Sequence, residues 1–445
     1  MNIDMTQDPP MKSMLRFALP MIMGNLLQQC YNIADTLIVG RVLGPDALAA
    51  VGSSFTLMTF LTSILLGLCM GSGTLFSMRF GEGDERGLKE GICASFVLIL
   101  ILTIVLNVLT FLLLNNIQAF LQAPDEIWLK MRSYLIIIFG GIFATFLYNY
   151  FASLLRAIGN PVVPLVFLAV SALLNIAFDL WFVIGLRWGV PGAAAATVAA
   201  QYISGLGITL YCLLRVPCLK FRKEDFRIRS GCMKEITNFS LLTCVQQSVM
   251  NLGILMVQGV VNSFGPTVMA AFAAGVKIDA FAYMPVQDFG NAFSTYIAQN
   301  YGAKKEARIR AGLRGAVVAA LIFCAVVSAL VCLFARPLML LFVDAAETAI
   351  VAEGMRYLRI EGIFYCGIGC LFLLYGLYRA LGKPGMSVIL TIFSLGTRVL
   401  LAYTLSAIPA VGVVGIWWSV PIGWFLADVI GLAYYAKKQK SLLGW

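Results

Sequence analysis

The sequence predicts an all-α integral membrane protein in which twelve transmembrane helices form two parallel six-helix halves. Sixty per cent of the 445 residues are hydrophobic and 12% are charged, whereas a soluble protein of this size needs far more polar surface. Runs such as 92–114 and 315–334 hold about twenty residues without a charge, enough to cross roughly 30 Å of hydrocarbon as a helix. A transmembrane barrel would show alternating segments of about ten residues instead.

Hydropathy and helix breakers divide the chain into twelve apolar segments, each long enough to span a bilayer. We expect the helices at 14–39, 47–76, 91–114, 133–156, 161–185, 190–215, 237–262, 268–300, 310–334, 353–380, 384–408 and 411–436. Because the number of spans is even, the two termini are predicted to lie on the same side of the membrane.

The basic residues are distributed unevenly between the loops, although a net charge of +10 could by itself suggest nucleic-acid binding. Most of the 32 Lys and Arg residues fall at the termini or in loops that follow even-numbered spans. Because cytoplasmic loops carry the excess of basic residues, both termini are predicted to face the cytoplasm. We expect a multi-pass monomer in the cell membrane, in contact with the lipid bilayer and not with nucleic acid.

An internal repeat supports the division into halves. The motif Gly-Pro-x-x-x-Ala-Ala at 44–50 recurs at 265–271, and the motif Arg-Ala-x-Gly-x-Pro at 156–161 recurs at 379–384. The two displacements along the chain are nearly equal, which chance matches would not produce. Because each repeat holds six spans, the halves share one orientation and are expected to be related by an axis along the membrane normal.

A polar and basic stretch without a span separates the two repeats. We interpret this stretch, residues 216–236, as a cytoplasmic linker. The predicted organisation is therefore an N-terminal lobe over 1–215, the linker, and a C-terminal lobe over 237–445.

Ionisable side chains inside apolar spans are costly, so each is a candidate functional residue. The sequence contains no His, so proton chemistry would fall to carboxylates. We expect Glu361 to be solvated because it is close to Arg359 and the outer interface, and Asp428 because it lies near the inner end of its span. The other candidates are Asp35, Asp179, Lys277, Asp279, Asp288 and Arg398.

Asp35 and Asp179 form the strongest constellation. Asn175 and Asp179 are four residues apart, which places them on one helix face. Counted from the basic residues of the outer loops, Asp35, Asp179 and Thr197 lie roughly 9–15 Å deep. Their hard oxygen ligands suit a small cation such as Na⁺, and two neighbouring carboxylates in an apolar bundle suit proton carriage. The alternative is that these side chains only hold helices together by hydrogen bonds.

The second half lacks this set of oxygens. At the repeat-related positions it has Met256 for Asp35, Arg398 for Asn175 and an alanine, at 402, for the second acid. We therefore expect the ligands of a coupling ion in the first half only, since Arg398 would also repel a cation.

Two further features are candidates for substrate contact and for movement. Polar, aromatic and Met side chains of the second half could line a permissive substrate cleft; they are Lys277, Asp279, Tyr283, Met284, Asp288 and Arg398. Pro20 lacks an N–H within the first span, so we expect it to weaken or kink that helix and act as a hinge.

Several short motifs occur in a characteristic order along the chain. They are Ala18-Leu19-Pro20 followed by Asp35, Val39-Gly40-x-x-x-Gly44, Asn175-x-x-x-Asp179, the run from Gly192 to Thr197, Gln299-Asn300-Tyr301-Gly302-Ala303 and the twin Arg-Ala-x-Gly-x-Pro motifs. This ordered set resembles the multidrug and toxic compound extrusion (MATE) family over nearly the whole chain.

The resemblance implies a V-shaped pair of six-helix lobes and a secondary transporter, not an enzyme. Such a transporter exports amphipathic, often cationic compounds by alternating access, in exchange for Na⁺ or H⁺ and without another cofactor. The family's N-lobe cation site matches Asp35, Asn175, Asp179 and Thr197, and its bending proline matches Pro20.

The chain departs from one branch of that family. The NorM branch also places acids in the seventh and tenth spans, where this chain has Gln246 and Gln247 and no acid near Ile368. The resemblance is therefore closer to the DinF-like and MepA-like branches, which rely on the N-lobe site.

Three other functions compete with export. A lipid-linked oligosaccharide flippase of the same superfamily is the main alternative, but it would line its cleft with several basic residues to hold pyrophosphate, and these spans offer only Lys277 and Arg398. An intramembrane enzyme would need a metal-ligand or nucleophile set, and the sequence has no His, HExxH or GxSxG motif. A channel is disfavoured because no pore-loop segment stands out.

Overall fold

The structure is a computed structural model that describes residues 3–121, 125–221 and 228–442. Helices account for nearly all of these residues, and no strand occurs within the described ranges. This confirms the predicted all-α class. The middle of the predicted linker, residues 222–227, lies outside the described residues.

Eight helices of the described part of the chain precede residues 222–227. A π-helical turn, Leu180–Gly185, continues the seventh helix, and a short 3₁₀ turn, Pro217–Leu219, follows the eighth. The helices are α1 Pro10–Leu43, α2 Pro45–Glu82, α3 Glu85–Leu112, α4 Leu114–Leu121, α5 Asp125–Gly140, α6 Ile142–Ala157, α7 Val162–Asp179 and α8 Val190–Arg215.

Within the described ranges, eight helices follow residues 222–227, and the first of them begins inside the predicted linker. They are α9 Ser230–Asn262, α10 Pro266–Gly302, α11 Glu306–Leu333, α12 Ala335–Leu340, α13 Thr348–Ile363, α14 Tyr365–Ala380, α15 Pro384–Ser406 and α16 Val413–Leu442. The short helices α4 and α12 were not predicted from the sequence, and they begin at equivalent places in the two repeats.

The helices agree with the predicted spans. Among the described residues, nine helices are long and apolar enough to cross a membrane. Two helix pairs meet the same criteria only when taken together, as a broken span or a re-entrant loop: α5–α6, bent by 43°, and α13–α14, bent by 52°. The remaining predicted span corresponds to α1, whose 34 residues are long enough for about 30 Å of hydrocarbon but which is not among the nine apolar helices.

The repeat is visible in the backbone as well as in the sequence. Gly44 and Gly265 have φ of 85° and 91°, and each immediately precedes a proline that begins a helix. Gly159 and Gly382, at the Arg-Ala-x-Gly-x-Pro motifs, have φ of 87° and 75°. These left-handed conformations are accessible to glycine without a steric cost, which explains why the repeated motifs contain glycine at these places.

The chain divides into two compact units. The first contains Met1–Ile3 and Leu19–Cys244, and the second contains Asp4–Ala18 and Val245–Trp445. The dividing points thus fall within α1 and α9. The predicted lobe and linker boundaries stay a prediction.

Aromatic side chains form much of the packing within each unit. In the first unit the ring centroid of Phe96 lies 5.4 Å from that of Phe146 and 5.3 Å from that of Tyr150. In the second unit the Trp417 ring lies 4.9 Å from Tyr357. Large apolar side chains are also exposed, among them Ile322 of α11. Exposed apolar surface of this kind is stable only when lipid or another apolar partner covers it.

Candidate functional site

Three helices of the first unit bring the four predicted cation-site residues together. Asp35 lies on α1, Asn175 and Asp179 on α7, and Thr197 on α8. Nδ2 of Asn175 donates to Oγ1 of Thr197 at 3.2 Å. The carboxyl groups of Asp35 and Asp179 lie close enough to interact electrostatically.

The oxygens of this cluster lack ordinary hydrogen-bond donors. Asp179 is 0% exposed, Asn175 is 3% exposed and Asp35 is half-buried. Among the described residues, no N–H or O–H donates to either oxygen of Asp179 or to Oδ1 of Asp35 and Asn175. Buried oxygens without donors are unfavourable, so a proton or a small cation among them would satisfy the cluster.

Two tyrosines that the sequence analysis missed flank these acids. Tyr134 of α5 is buried and lies close to both Asp35 and Asp179. Tyr31, one turn before Asp35 on α1, lies close to that acid and contacts Gln28. Tyrosine is common at the ends of membrane spans, so neither position stood out in the sequence.

The local backbone at Asp179 is irregular. α7 ends at this residue, and the chain continues as the π-helical turn Leu180–Gly185. π-Helical turns are rare and are frequent at functional sites. The cluster can therefore bind a proton or a cation at a point where the helix already departs from regular geometry.

The second unit contains its own buried polar cluster, which the sequence analysis predicted only in part. Asp279 of α10 is 2% exposed and accepts from the Tyr357 hydroxyl at 2.5 Å and from the Tyr365 hydroxyl. Arg398 of α15 lies close enough to Asp279 to interact electrostatically, and Tyr283 neighbours both.

Two predictions of solvation were wrong. Glu361 was expected near the outer interface because Arg359 is close in sequence, but it is 3% exposed and contacts Asp279 and Tyr357. Its helix packs this face inward. Asp428 was expected near solvent at the inner end, but it is 8% exposed because α16 packs against α14 and α15.

The other predicted cleft residues are not all in this cluster. Lys277 is exposed, and its Nζ lies 5.9 Å from the centroid of the Phe342 ring. Met284 is half-buried, and Asp288 is 3% exposed. Pro20 lies within the continuous helix α1, so its function as a hinge stays a prediction.

The sequence of this chain matches the profile of a known protein family twice. The MatE family profile matches residues 20–181 and again residues 243–404. The chain belongs to the MATE family. MATE proteins are membrane transporters and not enzymes, as the resemblance implied. The starting points of the two matches are displaced as far as the two Arg-Ala-x-Gly-x-Pro motifs are, so the doubled match agrees with the internal repeat.

Individual MATE proteins match this one over most of its length. It is 30% identical to the probable multidrug resistance protein YpnP of Bacillus subtilis (strain 168), over 88% of this chain and 87% of that protein. It is 26% identical to the probable multidrug resistance protein YoeA of the same strain, over 97% of this chain and 96% of that protein. A solved multidrug resistance MATE transporter in an outward-facing conformation has the same fold, with a TM-score of 0.92 at 24% identity and coverage of 99% of this chain and 98% of that chain.

Proposed function

We propose that this MATE protein is a secondary active exporter of amphipathic, often cationic compounds. It would exchange them by alternating access for Na⁺ or H⁺, which binds at Asp35 and Asp179 with Asn175 and Thr197. The names of its relatives YpnP and YoeA, both probable multidrug resistance proteins, support the substrate class.

The coupling proposal rests on the oxygens of Asp35, Asn175 and Asp179, which lie together in the first unit and lack hydrogen-bond donors among the described residues. Two neighbouring carboxyl groups inside a helix bundle are stable when a cation or proton neutralises one of them. The amide oxygen of Asn175 also lacks a donor, and its Nδ2 is held by Thr197. This leaves the amide oxygen free to accept a cation.

The setting of the exporter follows from charge and hydropathy. The apolar spans support a location in the cell membrane, and the excess of basic residues on one side supports cytoplasmic termini. With both termini in the cytoplasm, export would carry compounds outward from the cytoplasm or inner leaflet. The coupling ion would move inward, down its own gradient, and drive this export. We propose that the monomer suffices, because its first unit alone supplies all four ligands.

Transport into everted membrane vesicles tests this proposal. An ethidium-like dye should accumulate in vesicles that contain the protein when either a Na⁺ gradient at constant pH or a pH gradient without Na⁺ is imposed. The gradient that drives accumulation identifies the coupling ion. Vesicles from the same strain without the protein are the control, and equal dye movement in both under each gradient would contradict the proposal.

A further inference from the structure

Asp279 joins the two arms of a broken helix in the second unit. α13 and α14 are bent by 52° at the break between them. The hydroxyl of Tyr357 on α13 donates to Oδ2 of Asp279 at 2.5 Å, and the hydroxyl of Tyr365 on α14 donates to Oδ1. Hydrogen bonds to an ionised carboxylate are stronger than neutral ones, so the two donors favour the carboxylate form of Asp279 and tie both arms to α10.

Glu361 lies beside this carboxylate. It is 3% exposed and lies close enough to Asp279 and Tyr357 to interact with both, while no described group donates to its Oε1. Two ionised carboxylates at this place would lose their hydration and repel each other. One proton on Glu361 removes the repulsion and allows its hydroxyl to donate to Asp279.

Arg398 balances the remaining charge. Its guanidinium acts electrostatically on both Asp279 and Glu361. With Glu361 protonated, the carboxylate of Asp279 and the guanidinium give a neutral cluster. When Glu361 loses its proton, the cluster carries a net charge of −1, which is costly inside a bilayer.

We propose that Asp279 and Glu361 hold one exchangeable proton at the break between α13 and α14, which makes the pair a proton-binding site of the second unit. The site is separate from the one proposed at Asp35 and Asp179, and the inference does not depend on that proposal. Loss of the proton places a second negative charge beside Asp279, weakens the tie that the two tyrosines make, and thereby favours a change in the bend of the broken helix.

The chemistry of the cluster selects a proton over Na⁺. Both oxygens of Asp279 already accept from tyrosines, and Arg398 repels a metal cation. The carboxyl group of Glu361 remains, which offers at most two oxygens, whereas hard metal cations take about six oxygen ligands. The other titratable and charged groups that face the pair are Tyr283 of α10, Tyr357 of α13, Tyr365 of α14 and Arg398 of α15.

That the coupling ion binds in the first half only stays a prediction. That expectation considered the positions equivalent to Asp35 and Asp179, which hold no acid in the second half. Asp279 and Glu361 lie elsewhere, on α10 and α13, and both neighbour Tyr357.

Infrared spectroscopy of the full-length protein in lipid tests the proton site directly. Protonated carboxyl groups absorb apart from carboxylates, so spectra at low and high pH report the proton without any transport. The background is Asp35→Asn/Asp179→Asn, which removes the acids of the first site. Subtracting the spectrum of the same background with Glu361→Gln removes the bands of all other acids, Asp428 included. We expect this difference to contain a protonated-carboxyl band that disappears at high pH.

The matched control is Glu353→Gln on the same helix, whose Oε1 accepts from the Trp417 indole at 2.7 Å. It should leave the band unchanged. Glu361→Asp retains a carboxyl group and should retain a titrating band at a shifted frequency. The proposal is wrong if Glu361→Gln leaves the band intact, or if a folded Glu361→Asp protein lacks it. Failure of dye transport in vesicles would instead bear on the proposed export function alone.

Discussion

Tyr134 and Tyr357 occupy equivalent positions of the two repeats. Each tyrosine lies on the first arm of a bent helix pair and stands beside a pair of acids. Tyr134 neighbours Asp35 and Asp179, whereas Tyr357 donates to Asp279. The tyrosine and the break in the helix belong to the repeat, but the acids come from positions that are not equivalent. The two halves therefore place carboxylates at the same structural feature by different means.

Asp35→Asn is expected to reduce coupled dye export to the level of vesicles without the protein. The amide cannot carry the transferable proton or the full negative charge that holds a cation. The measurement is dye accumulation in everted vesicles at matched protein amounts. The control is Asp46→Asn, which removes an exposed acid paired with Lys130 at 3.1 Å, a type of ion pair worth little. Wild-type export by the Asp35→Asn protein would overturn the coupling assignment.

Thr197→Ala is expected to lower the apparent affinity for the coupling ion by roughly 2–10-fold, with maximal transport retained. The hydroxyl accepts the Asn175 amide at 3.2 Å, and a neutral hydrogen bond contributes about 0.5–1.5 kcal/mol. Thr209→Ala is the control, since its hydroxyl donates to the Gly205 carbonyl of the same helix at 2.6 Å. Transport rate measured against ion concentration gives the affinity. An unchanged ion dependence in Thr197→Ala would remove Thr197 from the site.

Much of the fold could be predicted because the bilayer imposes simple requirements. Charge-free runs of sufficient length must be helices, and α8 covers the predicted span 190–215. The similar depths of Asp35 and Asp179 below the outer interface could also be predicted, because the rise per residue of a helix converts the number of residues from a loop into a depth. The way in which the helices pack against one another could not be predicted from the sequence. The break near Phe364 contains no proline, so the tenth span was predicted as one unbroken helix.

The same limitation explains the errors at single residues. Proximity to Arg359 indicated solvent around Glu361, yet side chains on one helix separate by face as well as by depth, and Glu361 faces α10. Tyr134 was missed because its importance depends on acids that belong to other helices, far away in sequence. Only contact between helices reveals such a residue.

Gly376→Ala is expected to destabilise the second unit by about 1–3 kcal/mol, the usual cost of overpacking. An added Cβ would lie 2.7 Å from the Gly290 carbonyl oxygen, where α14 approaches α10. Gly396→Ala is the control, because nothing lies within 4 Å of its Cβ position. Alanine is the better helix former by about 1 kcal/mol, so the control should be neutral or stabilising. Thermal unfolding in detergent compares them, and equal melting temperatures would contradict the close approach.

A double-mutant cycle between Tyr357→Phe and Asp279→Ala is expected to give a coupling energy of about 1.5–3 kcal/mol, the usual contribution of a hydrogen bond to a charged group. The cycle is needed because Asp279→Ala also removes the partner of Tyr365 and leaves Arg398 without its neighbouring carboxylate. Those effects are common to both Asp279→Ala backgrounds and cancel, so the coupling energy isolates the contact between Tyr357 and Asp279.

The control cycle pairs Asp279→Ala with Tyr378→Phe, whose hydroxyl donates to the Gly431 carbonyl at 2.5 Å. Residues without a shared partner are additive within about 0.5 kcal/mol, so this cycle should show no coupling. Stabilities come from thermal unfolding of the four proteins of each cycle in the same detergent. Equal coupling in the two cycles would mean that Asp279→Ala disturbs the unit as a whole. Coupling confined to Tyr357 would mean that the carboxylate holds α13 specifically, because the hydroxyl that it binds belongs to that arm of the broken helix.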